Sequence, residues 1–194
     1  MTNSDDLDRS DMERLAKGHD DALNSLMERH SEKLFRYLIR QLQNEQDAED
    51  LAQETFVRVY QHCARFDPAQ KFTTWLYTIA TNLSRDRLRW RSRHPQVSMD
   101  SKGTETETTL ENHLPSEAAS PDAQLQQSET AETVRRAIAT LPEELRTPLI
   151  LSEYESLSHS EVAAILNCTS KAVESRLYRA RKILRERLAR DVIS

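Results

Sequence analysis

Apolar residues recur at helical spacing through the first part of the chain, and they predict an amphipathic helix from about residue 20 to residue 43. Its core positions would be Leu23, Leu26, Met27, Leu34, Tyr37, Leu38 and Leu42. Two further helices are predicted over residues 47 to 62 and 73 to 91. Core candidates on the last are Trp75, Leu76, Ile79, Ala80 and Leu83. These segments indicate an N-terminal domain of three or four helices.

The helix predicted over residues 47 to 62 has two faces of different chemistry. Its buried face would be formed by Ala48, Leu51, Ala52, Phe56, Val59 and Cys63. Its outer face carries Asp50, Gln53, Glu54, Val57, Arg58 and Gln61. Such a face is either solvated or part of a polar interface with a partner.

The clearest local signal is a helix-turn-helix pattern near the C-terminus. Ser158 and Glu161 fit a capping box, so a short helix is predicted to begin there. Asn167 stands where a left-handed residue is needed, and Thr169 is a plausible N-cap for a longer helix from residue 171 to about 190. A supporting helix is predicted over residues 142 to 155, which Pro148 should kink or split.

The segment between these two parts is rich in polar residues and proline and is predicted to be a flexible linker. Residues 96 to 134 contain eight acidic residues and one lysine, a net charge of −7. The pattern therefore predicts an all-α protein of two small helical domains, with boundaries at residues 10–94 and 129–192 and an acidic linker at 95–128.

The distribution of charge along the chain leads to a different interpretation from the net charge. The chain has a formal net charge of −5, which taken alone argues against nucleic acid as a partner. Residues 85 to 93, however, carry five arginines and one aspartate, for a net charge of +4, and residues 169 to 190 carry a net charge of +6. Two basic helix ends separated by an acidic segment are typical of a protein that binds nucleic acid at two places.

Composition excludes several classes of protein. With only two glycines in 194 residues, phosphate-binding glycine loops and β-barrels are not expected. Cys63 and Cys168 form no CxxC pair, which suits free thiols in the cytoplasm. No apolar run approaches the roughly 20 residues of a membrane span, so no membrane insertion is expected.

Four sequence strings together resemble the extracytoplasmic-function sigma factors of bacterial RNA polymerase, in the sigma-70 family. They are DAEDLAQETFVRV at 47–59, TWLYTIATN at 74–82, LPEELR at 141–146 and SRLYRAR at 175–181. The resemblance implies a region 2 helical bundle, a region 4 helix-turn-helix, and an alternative sigma factor that directs transcription initiation. Its partners would be bacterial core RNA polymerase, promoter DNA and an anti-sigma factor.

The resemblance also implies roles for residues of the N-terminal domain. The outer face of the second helix would dock on core polymerase through Asp50, Gln53, Glu54 and Arg58. Promoter melting needs a partner for an extruded base and cations for the backbone. At the −10 element these would be Phe66, Lys71, Asn82, Arg85, Arg87 and Arg89. Alternatively, Phe66 covers the core beneath its loop, and Trp75 is an ordinary core residue.

In the C-terminal domain, a recognition helix would read the −35 element in the major groove. The candidates are Lys171, Glu174, Ser175, Arg176, Tyr178 and Arg179. Arg179 suits guanine, and Glu174 can accept a hydrogen bond from cytosine. Many members of the family have a basic residue in place of Glu174. Arg176 could instead pair with Glu161 within the domain.

Two other classes of function compete with this interpretation. An enzyme is disfavoured because the six histidines form no HExxH motif or cluster at ligand spacing, so no catalytic residue, metal or cofactor is expected. The stronger rival is a stand-alone helix-turn-helix regulator that binds operators as a dimer. Such a regulator would need a ligand-binding or dimerisation module in place of the N-terminal helices.

Overall fold

The computed structural model of the chain describes residues 4–94 and 131–191, and every regular element in these ranges is helical. The all-α prediction is confirmed. The predicted linker at 95–128 lies outside the described residues. In this article the described helices before residue 95 are called the N-terminal unit, and those after residue 130 the C-terminal unit.

The N-terminal unit contains four α-helices and a short 3-10 turn. They are α1 (Ser4–Ala16), α2 (Asp21–Leu42), α3 (Glu45–His62), the turn Cys63–Arg65 and α4 (Phe72–Arg93). The three helices predicted for this part of the chain are present, and each end lies within two residues of its predicted position. At the start of α3, the Asn44 side chain accepts a hydrogen bond of 2.8 Å from the Asp47 backbone N–H, which caps the helix.

Helix α1 was not predicted, and residue 10, where the domain was expected to begin, lies in its middle. The helix buries Met12 and Leu15 against α2. It also buries two carboxylates, of which Asp8 accepts from Arg29 Nε at 2.9 Å and Asp11 from Arg29 Nη2 at 2.6 Å. Helix α1 is therefore held by ion pairs as well as by apolar contacts.

The C-terminal unit contains helices α5 to α8. Residues 131–139 are helical (α5), followed by α6 (Glu143–Glu153), α7 (His159–Leu166) and α8 (Ser170–Asp191). Pro148 was expected to kink or split this helix, and the split is not found, since α6 runs through this position. Leu149, Ile150 and Leu151 are buried immediately after it, and their packing offsets the one helical hydrogen bond that proline cannot donate.

The helix-turn-helix has the predicted local geometry. Ser158 and Glu161 form both hydrogen bonds of a capping box at the start of α7. Asn167 is left-handed, with φ 48° and ψ 54°, and Thr169 Oγ1 accepts a hydrogen bond of 3.2 Å from the Ala172 N–H at the start of α8. These caps fix where α7 ends and α8 begins.

We expect Ser158→Ala to lower the free energy of unfolding of the chain by about 1 kcal/mol, because the Glu161 N–H loses its side-chain acceptor. Thermal unfolding followed by circular dichroism measures the change. Ser175→Ala, at an exposed position within α8, is the matched control and should not lower stability. Equal losses for the two variants would contradict a stabilising role for the cap.

The two units pack against each other. Helix α2 contacts α6, and α4 contacts α7. Buried residues of both units form one continuous apolar cluster, from Leu38 and Leu76 in the N-terminal unit to Ile150 and Val162 in the C-terminal unit. The surfaces of α2 and α4 that face the C-terminal unit are therefore partly covered in this structure.

Candidate docking and nucleic-acid interfaces

The outer face of α3 is open to solvent. Asp50, Gln53, Val57, Arg58 and Gln61 are exposed, and the Glu54 side chain retains 43% of its exposure. Arg58 Nε donates to Glu54 Oε1 at 2.9 Å, and Gln46 Nε2 donates to Asp50 Oδ1 at 3.3 Å. These residues form the exposed polar face that the helical spacing predicted.

The same face includes an aromatic residue that the sequence analysis missed. Tyr60 is 45% exposed and Val57 is 46% exposed, one turn apart on α3. The signal was present, since Gln53, Val57 and Tyr60 follow helical spacing along one stripe. The face therefore combines charged residues with an apolar portion, a composition common in protein interfaces.

Phe66 follows the 3-10 turn and lies in an aromatic cluster. Its ring centroid is 5.3 Å from that of Trp75 and 6.3 Å from that of Phe72. Phe66 and Trp75 are half-buried, whereas Phe72 is buried. In this structure Phe66 thus covers the edge of the core, with part of its ring open to solvent. Trp75 packs against the core from this half-buried position, in keeping with the alternative that it is a core residue.

The candidate −10 residues of α4 differ in their surroundings. Asn82 is exposed, and the Arg89 side chain is 70% exposed with Asp86 at 3.5 Å. Arg87 instead donates to the buried Asp47 at 2.6 Å, and Arg91 pairs with the same carboxylate at 2.5 Å. Arg87 therefore joins α4 to the start of α3 in this structure, and a phosphate would have to compete with Asp47.

Lys71 and Arg85 contact the C-terminal unit. The Lys71 ammonium lies 3.0 Å from Glu161 and 3.5 Å from Asp5, and the Glu161 carboxylate raises the pKa of Lys71. Arg85 Nε donates to Glu143 Oε1 at 2.9 Å. Lys71 directly precedes α4 and Arg85 lies on it, and sequence spacing could not indicate these distant partners.

The candidate −35 residues lie on the open side of α8. Lys171, Glu174, Ser175, Tyr178 and Arg179 are exposed, and Tyr178 reaches 71%. The opposite side buries Val173, Leu177 and Ala180. A continuous polar face of this kind can enter a major groove while the rest of the unit supports it.

Arg176 and Glu174 have specific neighbours. Arg176 is half-buried, and its Nη1 lies 3.6 Å from Cys168 Sγ. The alternative in which Arg176 pairs with Glu161 is not found, because Glu161 pairs with Lys71. Glu174 lies 3.7 Å from His159 Nδ1 and remains accessible. Both cysteines are free and half-buried.

The described residues contain no group of three or more potential metal ligands close enough to hold an ion. Within the same residues, no helix combines the length and the apolar character that crossing a membrane requires.

Comparison with known proteins places both units in one family. Residues 26–94 match the family Sigma-70 region 2, and residues 131–184 match Sigma-70, region 4. The chain is 34% identical to the ECF RNA polymerase sigma factor SigW of Bacillus subtilis over 178 residues, which are 91% of this chain and 94% of that protein.

Two solved structures share the fold. The structure of CnrH in complex with the cytosolic domain of CnrY has a TM-score of 0.69 and 27% sequence identity, and the match covers 96% of this chain and 99% of CnrH. The sigma factor RpoE of Bartonella quintana, in complex with the anti-sigma factor NepR, has a TM-score of 0.65 and 26% identity over 88% of this chain and 98% of that one. The chain therefore belongs to the extracytoplasmic-function sigma factors of the sigma-70 family.

Proposed function

We propose that this sigma factor binds bacterial core RNA polymerase and directs promoter-specific transcription initiation, with its N-terminal unit at the −10 element and its C-terminal unit at the −35 element. The observation that carries this proposal is the 34% identity to SigW across 91% of the chain. The match includes both the region 2 and the region 4 segments, whereas a stand-alone regulator would need only a helix-turn-helix.

The residue assignments follow the resemblance to the family. Residues 10–94 would bind polymerase and melt DNA, residues 95–128 would connect the two domains, and residues 129–192 would read the −35 element. Asp50, Gln53, Glu54 and Arg58 would contact polymerase, and we add Tyr60 to this surface. Phe66 and Asn82 would hold extruded bases, while Lys71, Arg85, Arg87 and Arg89 would contact the strand backbone. Lys171, Glu174, Ser175, Arg176, Tyr178 and Arg179 would contact the −35 duplex.

The same assignment has consequences for partners and location. The two solved structures described above are complexes, one of them with a protein named as an anti-sigma factor, and we propose an anti-sigma partner for this chain. A protein that works on polymerase and promoter DNA acts in the cytoplasm. We assign no catalytic step to the chain itself, since the polymerase performs the chemistry.

Run-off transcription with purified core polymerase on a promoter library tests the function. Initiation from templates that share one pair of −35 and −10 sequences is the expected result. If core polymerase is not bound and the free chain instead shifts a palindromic duplex, the protein is a stand-alone regulator and the proposal is wrong.

The combined change Phe66→Ala/Asn82→Ala should reduce open-complex formation by at least about tenfold while leaving polymerase binding intact. Each base held by an aromatic ring contributes about 1–3 kcal/mol, and both side chains would be lost from the melting surface. Permanganate reactivity of unpaired thymines measures the open complex directly.

A template with a pre-opened −10 region is the matched control, because it removes the need to unpair the bases. Transcription by the double variant should recover substantially on that template. Asn82→Ala alone serves as the variant that leaves the Phe66 cluster untouched, since Asn82 is exposed. Equal defects on closed and pre-opened templates would show that these residues do not act in melting.

A further inference from the structure

Helix α1 lies against the segment that carries Phe66. It contacts the 3-10 turn Cys63–Arg65, which immediately precedes Phe66, and it contacts α4, which follows the loop. At the far end of the loop, Asp5 on α1 lies 3.5 Å from Lys71. The helix therefore reaches both ends of the loop at 66–71 and is placed to influence its geometry.

A buried carboxylate on α1 fixes the orientation of a histidine on α2. Asp8 Oδ2 lies 2.9 Å from His30 Nε2, and Asp8 Oδ1 accepts from Arg29 Nε at 2.9 Å. Asp8 is 1% exposed and His30 is 8% exposed. Because an ionised carboxylate can only accept, His30 Nε2 carries a proton and donates to Asp8. With both carboxylate oxygens engaged, the imidazole ring is held in one orientation.

The histidine ring adjoins the aromatic cluster around Phe66. Its centroid lies 5.1 Å from that of Phe72, with the two ring planes at 56°. Phe72 is 2% exposed, and its ring centroid lies 6.3 Å from that of Phe66 and 6.4 Å from that of Trp75. Aromatic rings attract one another at centroid separations of about 4.5–7 Å. Contacts therefore run from Asp8 on α1 to the half-buried ring of Phe66.

The chemistry of the Asp8–His30 pair indicates a role besides stability. Burying a carboxylate beside an imidazole carries a desolvation penalty, and apolar residues of similar volume often stabilise a core as well or better. The pair adds direction, because a hydrogen bond restricts the rotation of the ring whereas apolar contacts are non-directional. A fixed His30 ring limits the positions open to Phe72, and Phe72 limits those open to Phe66.

We propose that His30, oriented by Asp8, is a positioning residue for promoter melting, and that it acts through Phe72 to hold the Phe66 ring in the half-exposed position that receives an extruded base. Both Asp8 and His30 are buried, so neither would touch DNA. A ring that is already in place binds a base without first being ordered, which lowers the cost of binding. This inference rests on the proposed role of Phe66 in melting.

A double-mutant cycle between His30 and Phe66 tests the proposal. His30→Gln keeps a donor for Asp8, which protects the fold, but removes the ring that packs on Phe72. On a promoter identified by run-off transcription, it should slow open-complex formation about fivefold, an effect typical of side chains in one network. Its affinity for core polymerase should be unchanged.

In the Phe66→Ala chain, His30→Gln should have almost no further effect, because the ring that His30 positions is absent. The rate is again that of open-complex formation, followed by permanganate reactivity. An equal slowing with and without Phe66 would show that His30 acts independently of that ring, and the proposal would be wrong.

His30→Phe tests the part assigned to Asp8. It retains an aromatic ring beside Phe72 but donates nothing to Asp8, which keeps its hydrogen bond from Arg29. We expect open-complex formation to slow about twofold, since the ring is present but no longer oriented. A wild-type rate would show that ring packing alone positions Phe72 and that Asp8 has no part in it.

Fluorescence of Trp75 gives a readout that needs neither polymerase nor DNA. Its ring centroid lies 5.3 Å from that of Phe66, and Trp90→Phe leaves it as the single tryptophan of the chain. In that background His30→Gln should red-shift the emission and increase quenching by acrylamide, because a displaced Phe66 ring opens the cluster to solvent.

The matched control for the fluorescence measurement is His19→Gln, the same substitution at an exposed histidine. It should leave the emission and the quenching unchanged. Equal spectra and equal quenching for the two variants would overturn this inference. A wild type that fails to bind core polymerase would overturn the proposed function instead, so the two failures are distinguishable.

Discussion

Replacing Asp50 and Glu54 together by alanine is expected to weaken binding to core RNA polymerase by about 100-fold. Truncating one partner of a charge pair that is buried on binding costs about 2–5 kcal/mol, and each 1.4 kcal/mol is about tenfold in affinity. Arg58 already orients the Glu54 carboxylate at 2.9 Å, so little ordering is needed when the partner arrives. Titration of labelled core polymerase with each variant measures the dissociation constant.

The fold of this variant should be nearly unchanged, because an exposed ion pair within one helix contributes only about 0.3–0.5 kcal/mol. Glu13→Ala/Glu144→Ala removes two other exposed carboxylates and is the control for net charge. Its affinity should match that of the wild type. If both double variants bind polymerase equally well, the docking surface lies elsewhere on the chain.

The helices and the turn that positions the exposed face of α8 could be predicted because their signals are local. Helical spacing of apolar residues defined α2, α3 and α4, and a capping box with a left-handed Asn167 defined the helix-turn-helix. Side chains three or four positions apart share a face whatever the rest of the protein does. This is why the outer faces of α3 and α8 were predicted and are exposed in the structure.

Side-chain partners from distant parts of the chain could not be predicted in the same way. Arg87 pairs with Asp47, 40 positions away, and Arg85 with Glu143, 58 positions away. Sequence spacing identified both arginines only as cations on a basic helix. Which carboxylates they contact depends on how the helices pack against one another, and a local sequence pattern carries no information about that packing.

Helix α1 was missed for a related reason. It is rich in charged residues, and two of its four buried residues are aspartates, so its apolar pattern is weak. Asp8 and Asp11 become buried only because Arg29 on α2 supplies hydrogen bonds to both. Helix α1 therefore packs against α2 partly through ion pairs with Arg29. This residue is too far away in the sequence to be part of a local pattern around α1.

Asp8→Ala is expected to lower the free energy of unfolding of the N-terminal unit by about 2–4 kcal/mol. The Asp8 side chain is 1% exposed, accepts from Arg29 Nε at 2.9 Å, and lies 2.9 Å from His30 Nε2. Removing one member of a buried ion pair costs about 3–5 kcal/mol because the other is left unpaired. The expected value is somewhat lower because the Arg29 side chain keeps 27% of its exposure and a second partner in Asp11. Chemical denaturation measures the loss.

Hydrogen exchange separates a local effect on α1 from general destabilisation. The amides of α1 should lose protection in Asp8→Ala before those of α2, because the variant removes contacts that tie α1 to its neighbour. Asp6→Ala is the control on the same helix, since the Asp6 side chain is 60% exposed and lies 3.9 Å from Arg9. Equal stability and equal exchange for the two variants would mean that apolar contacts of Met12 and Leu15 alone hold the helix. Asp5 on α1 lies 3.5 Å from Lys71. If α1 detached, Lys71 would lose this carboxylate partner. The stability of the helix is therefore linked to the proposed −10 DNA-binding residues.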